Sequence, residues 1–153
     1  MKIIWIWLGA ALALGLLNLA IWQKENTLAN GETIYLRLAP VDPRSLMQGD
    51  YMLLDYAIAR ELRNTEMPAL GGRLVLELDA QGVAHFARLD DDSALASNER
   101  YLAYKNRYGA KFGIESFFFQ EAKAGDYEQA KFAKIRLSQN GSAMLVDLLE
   151  SPQ

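Results

Sequence analysis

Twenty consecutive residues, Ile3 to Trp22, carry no charge and one polar side chain, Asn18. As a helix rising about 1.5 Å per residue, this run reaches roughly 30 Å, the thickness of a bilayer's hydrocarbon core. In lipid every backbone N–H and C=O must be paired within the segment, so a helix is the structure open to it. Trp5, Trp7 and Trp22 stand near its two ends, where amphipathic rings prefer the water–lipid boundary. The expectation is a transmembrane anchor over 1–23, a polar connector over 24–31, and a folded domain over 32–153.

A cleaved signal peptide would need a shorter apolar core and small residues before the cut. Thr27-Leu28-Ala29 offers a passable site, but Lys24 and Glu25 intervene and the run has the length of a true span, which favours a retained anchor. Lys2 on one side and Lys24 and Arg37 on the other leave the positive-inside rule undecided. The short tail before the span fits an uncleaved signal-anchor with the C-terminal domain outside the cytoplasm. Ala11, Gly15 and Asn18 fall on one helix face, and Gly9 and Ala13 make a second small pair. Small residues admit a neighbouring helix closely and an amide can hydrogen-bond across the contact, so this face is a helix-packing seam; ordinary Ala/Gly usage in a span is the competing reading.

The chain contains no Cys and one His, His85, which excludes thiolate and multi-histidine metal sites, disulfides and cysteine nucleophiles. No cofactor is expected. Sixteen basic against nineteen acidic side chains give −3 overall, without the positive footprint that nucleic acid demands.

After the connector, alternation and β-formers dominate. Strands are expected at 33–38, 51–58, 73–78, 83–89, 100–104, 112–119, 133–137 and 142–148. Asp79-Ala80-Gln81-Gly82 and Asn140-Gly141 supply hairpin turns. Residues 57–62 and 124–132 carry helical spacing, and 90–98 reads as an acidic loop. The fold class is therefore mainly β: an N-terminal transmembrane helix followed by an antiparallel sandwich or small open barrel with one or two short helices.

The stretch Pro40 to Tyr56 reads PVDPRSLMQGDYMLLDY. Asp42 can cap a short helical turn with Pro43 at its first position, Gly49 can end that turn left-handed, and Arg44 can pair with Asp50. In the strand that follows, Met52, Leu54, Tyr56 and Ile58 share the better core face, and a buried Tyr56 hydroxyl needs a partner.

Gly49, Asp50, Tyr51, Leu54 and Tyr56 occupy every fixed position of GDYxxLxY, and with the preceding VDPRS and the N-terminal span the chain resembles the bacterial membrane-anchored family named for that motif. The resemblance covers nearly the whole chain. It implies an envelope protein working beside multi-pass membrane proteins; with the signal-anchor reading, the expected place is the bacterial cytoplasmic (inner) membrane, single-pass, with the C-terminal domain extracytoplasmic. It implies no reaction and supplies no catalytic residues.

The expected function is a non-catalytic interaction or accessory module for a membrane partner. One alternative is a Ser/Lys hydrolase similar to signal peptidase, with Ser45 as nucleophile and Lys105 or Lys111 as base. Against it, Ser-Met-x-Pro is absent and no Lys lies between Lys24 and Lys105. Another is a small-ligand or lipid-binding module with a pocket inside an open barrel. Asp90, Asp91 and Asp92 lack calcium-loop spacing and read as a solvated loop. His85 lies mid-strand, and nothing in the sequence brings the carboxylates Asp50, Asp55 and Glu115 together. Phe117, Phe118 and Phe119, in a strand, must face both ways; without cover on one side they make an exposed apolar patch.

Overall fold

The computed structural model describes residues 2–40, 47–48, 51–118, 127 and 129–152. It opens with helix α1, Lys2–Asn30, 29 residues without a break. From Ile4 to Asn26 its side chains are exposed, as a lipid-facing helix requires and a soluble core helix would not allow. Among the described residues it is the one helix long and apolar enough to cross a membrane.

The polar stretch expected as a connector is helical as far as Asn30. Thr27 explains why: it is buried, its hydroxyl donates to the Gln23 carbonyl at 3.0 Å, and its turn of helix rests against the sheet. Gly31 then turns the chain directly into strand. Its N–H donates to the Thr27 carbonyl at 2.9 Å, and its own carbonyl accepts from Arg136 at 2.8 Å. A Cβ here would stand 2.3 Å from the Thr27 oxygen, so the junction admits only glycine without a shift.

The strands are β1 Glu32–Arg37, β2 Met47–Gln48, β3 Tyr51–Leu53, β4 Gly72–Leu78, β5 Val83–Leu89, β6 Glu99–Asn106, β7 Ala110–Lys111, β8 Ser116–Phe118, β9 Phe132–Leu137 and β10 Ala143–Leu149. Between β3 and β4 come helix α2, Ala57–Glu61, and a 3-10 turn, Leu62–Asn64. Seven strands form a curled sheet in the order β10-β9-β1-β5-β4-β6-β7, and β2-β3-β8 form a small second sheet. The result is a mainly β half-barrel of the open kind. Among the described residues all pairings in this sheet are antiparallel except β1 with β5, so the large sheet is mixed.

That parallel pairing spans only Tyr35–Val83 and Leu36–Ala84. Beyond it β1 turns away to the motif segment: Leu38 bridges Tyr56, and the Ala39 N–H donates to the Asp55 carbonyl at 2.8 Å. Bulges between Val75 and Leu76 and between Leu145 and Asp147 add local bend to the strands that carry them. The sheet curls far enough for the β9–β10 turn to dock on β6, where the Ala103 N–H donates to the Gly141 carbonyl at 2.8 Å.

Alternation sorts the core as expected. Ile34 and Leu36 of β1, Leu74 and Leu76 of β4, Leu102 of β6 and Ile135 of β9 are all fully buried within one cluster, joined by Ile58 and Leu62 from α2 and the 3-10 turn. The expected strand over 51–58 stops at Leu53, because Tyr56 starts α2 from an extended conformation. The expected strand over 112–119 is the short β8, preceded by β7. Most of the helical stretch expected over 124–132 lies outside the described residues, and Phe132 already belongs to β9.

Candidate functional site

Asp42, Pro43, Arg44, Gly49 and Asp50 lie outside the described residues, as do Ser45 and Phe119. What the structure places of the motif is Tyr51, Leu54 and Tyr56. Tyr51 pairs with Gln48 and Phe118 across β3. Met52, Leu54, Tyr56 and Ile58 are all buried, while Leu53 on the opposite face is exposed. The hydroxyl of Tyr56 finds the partner its burial demands, donating to the Ile114 carbonyl at 2.7 Å. Its ring meets Phe112 edge-on, centroids 5.8 Å apart. Burial, and after it the negative charge of Glu115, push the Tyr56 phenol far above its ordinary pKa of 10.0, so it serves as a neutral donor.

The Leu54 N–H donates to the Glu115 carbonyl at 2.8 Å, and the Glu115 carboxylate accepts from the N–H groups of Phe112 and Gly113. The motif strand thus holds the 112–115 loop through side chain and backbone together. Its residues Leu54 and Tyr56 act as framework.

Of the three carboxylates considered for acid–base work, Asp55 takes Arg60 at 2.8 Å and Arg63 at 3.4 Å, Glu115 is engaged as above, and Asp50 is outside the described residues. The acidic loop is neutralised locally. Asp90 pairs with Arg73 at 2.6 Å, and Arg88 takes Glu99 and, more loosely, Asp91. Among the described residues no group of three or more His, Asp or Glu could hold a metal ion. His85 stands 3.4 Å from Asp79. Phe117 packs edge-on against Tyr127 with centroids 4.9 Å apart, and Phe118 faces outward, largely exposed.

On α1, Ala11, Gly15 and Asn18 are exposed, and an added Cβ at Gly9 or Gly15 would meet nothing within 4 Å. Asn18 donates to the Leu14 carbonyl of its own helix at 2.9 Å, which leaves its side-chain oxygen as the acceptor for a neighbour.

A cavity of about 570 Å³ opens where α1, the β6–β7 hairpin and the β9–β10 turn meet. Lys24, Lys105, Arg107, Lys111, Glu115 and Asn140 are among its lining residues. Lys105 and Lys111 are cross-strand partners in the β6–β7 register. Sequence reasoning named these two lysines only as bases for Ser45 and did not join Lys24 and Arg107 to them. No local signal joins Lys24 to the hairpin; the turn at Tyr108 and Gly109, both with positive φ, sets only Lys105 and Lys111 across from each other.

The molecule is therefore a half-barrel carried without a linker on a helix long enough to cross a bilayer. The family model described as GDYXXLXY protein matches residues 13–148, and the chain belongs to that family. No curated protein and no solved structure matches it.

Proposed function

We propose that this protein is a single-pass component of the bacterial cell envelope, anchored in the cytoplasmic membrane, whose extracytoplasmic half-barrel is a non-catalytic accessory module for a multi-pass membrane partner. The observation that carries this reading is the stiff join at Gly31. Thr27 is buried and the Gly31 carbonyl is held by Arg136, which ties the end of the helix to the sheet and favours a constant domain surface beside whatever the span packs against. Two surfaces support a partner on both sides of the water–lipid boundary. In the bilayer it is the small-residue face of Ala11, Gly15 and Asn18, where a second helix can approach closely. Above it is the outer face of the small sheet, where Leu53 and Phe118 are exposed.

Retention of the anchor is supported by the same join, since Thr27-Leu28-Ala29 is helical, whereas a peptidase needs its cleavage site extended. The test is site-specific photo-crosslinking in native membranes, with a benzophenone side chain at Gly15 in one variant and at Phe118 in another. The expected result is an adduct from both positions with the same multi-pass protein. Absence of any adduct from Gly15 in membranes that retain the full-length chain refutes the proposal.

A further inference from the structure

Away from the α1–hairpin cavity, Arg60 is matched with Asp55, Arg73 with Asp90, Arg88 with Glu99 and Arg100 with Glu32, while Arg37 stacks over Phe132 and Arg136 donates to the Gly31 carbonyl. Like Lys131 and Lys134, which lie elsewhere, the cations Lys24, Lys105, Arg107 and Lys111 have no ion pair with any described residue; what sets these four apart is where they meet. They converge on one cavity although the chain as a whole is acidic. Glu115, the one carboxylate lining it, already accepts two backbone N–H groups.

Lys105 and Lys111 sit directly across from each other in an antiparallel pair, an arrangement in which like charges oppose the pairing. Both side chains are exposed. A bound anion would remove that opposition.

Depth says where the anion comes from. Lys24 lies two residues past Trp22, about 3 Å further along the helix axis. The headgroup layer on each side of a bilayer is roughly 5–7 Å thick. With Trp22 at the hydrocarbon boundary, Lys24 and the cavity it lines stand at headgroup level. Tyr108, fully exposed at the tip of the same hairpin and held at φ 56, adds an aromatic of the type that favours this layer.

We infer that this cavity is a binding site for the phosphate-bearing headgroup of an anionic phospholipid from the membrane holding α1, with Lys24, Lys105, Arg107 and Lys111 as the phosphate's cationic contacts. Asn140 on the rim supplies a polar side chain suited to a glycerol-type headgroup. This site is independent of any protein partner.

Full-length protein, delipidated in neutral detergent, is titrated with phosphatidylglycerol or phosphatidylcholine and examined by native mass spectrometry. Phosphatidylglycerol is expected to be retained and phosphatidylcholine not. Each cation removed is expected to weaken retention about fivefold, so Lys105→Gln/Arg107→Gln/Lys111→Gln loses about a hundredfold, while Lys105→Arg/Lys111→Arg keeps it. Without lipid, the triple variant is expected to melt at or above the temperature of the parent, because a like-charge pair has been relieved. Equal retention of the two lipids, or a triple variant that melts lower in the absence of lipid, overturns the assignment. So does displacement of phosphatidylglycerol by equimolar glycerol 3-phosphate, which would make the ligand a soluble phosphate.

Discussion

Replacing Tyr56 with Phe removes one hydroxyl and leaves the ring in its edge contact with Phe112. The group orphaned is the Ile114 carbonyl, which accepts the phenol at 2.7 Å inside the core. Leaving a buried acceptor unpaired costs about 1–3 kcal/mol, and about 1.5 kcal/mol is a fair centre for a neutral pair. A domain of about 120 residues gains roughly 0.25 kcal/mol/K of entropy on unfolding, so the melting temperature should fall by about 6 °C. The assay is thermal unfolding of the full chain in detergent, followed by tyrosine near-ultraviolet circular dichroism, because Trp5, Trp7 and Trp22 all lie in α1 and do not report on the sheet. The alkaline limb gives a second readout. The folded state holds the Tyr56 proton more tightly than the unfolded state does, so this group's contribution is complete below pH 10 and declines as pH rises beyond it. Tyr56→Phe should lose its share of that decline, with Tyr104, also raised by burial, accounting for what remains. A drop of less than about 2 °C with an unchanged alkaline limb would refute the view that this hydroxyl ties the motif strand to the 112–115 loop.

Gly31→Ala forces a methyl to within 2.3 Å of the Thr27 oxygen and should lower domain stability by about 1–3 kcal/mol, read as a urea midpoint. Gly141→Ala combines a φ of +88 with a Cβ 2.9 Å from the Ala103 nitrogen; a loss of about 1–3 kcal/mol is expected, with amide exchange at Ala103 quickened as its acceptor shifts. Asp79 is held below its ordinary pKa of 3.8, chiefly by the Val83 N–H with help from Gln81 and His85, so its contribution is present above that pH and is lost as pH falls further. Asp79→Asn should flatten the acid side of the stability profile, checked by unfolding at stepped pH. Asp55→Asn breaks two half-exposed ion pairs and should cost no more than about 1 kcal/mol, in contrast to Tyr56→Phe at the fully buried neighbouring residue.

Local chemistry made the long apolar helix, most of the strands and the core face of the motif legible in the sequence. Twenty uncharged residues can satisfy their backbone in lipid only as a helix, and alternation alone puts Met52, Leu54, Tyr56 and Ile58 on one side. The turn residues Gly82 and Gly141 both adopt the positive φ expected of them. Tertiary structure alone decided three other features. The polar stretch after the apolar run stays helical because Thr27 packs against the sheet, a contact that no property of residues 24–30 announces. The parallel pairing of β1 with β5 depends on where the chain returns after α2 and the 3-10 turn, and alternation is blind to strand direction. Lys24 is about eighty residues from Lys105, so their shared cavity exists only because the sheet curls until its β6–β7 edge meets the end of α1. Periodicity reports which way a side chain faces; which distant faces come to confront each other is settled by the closure of the sheet.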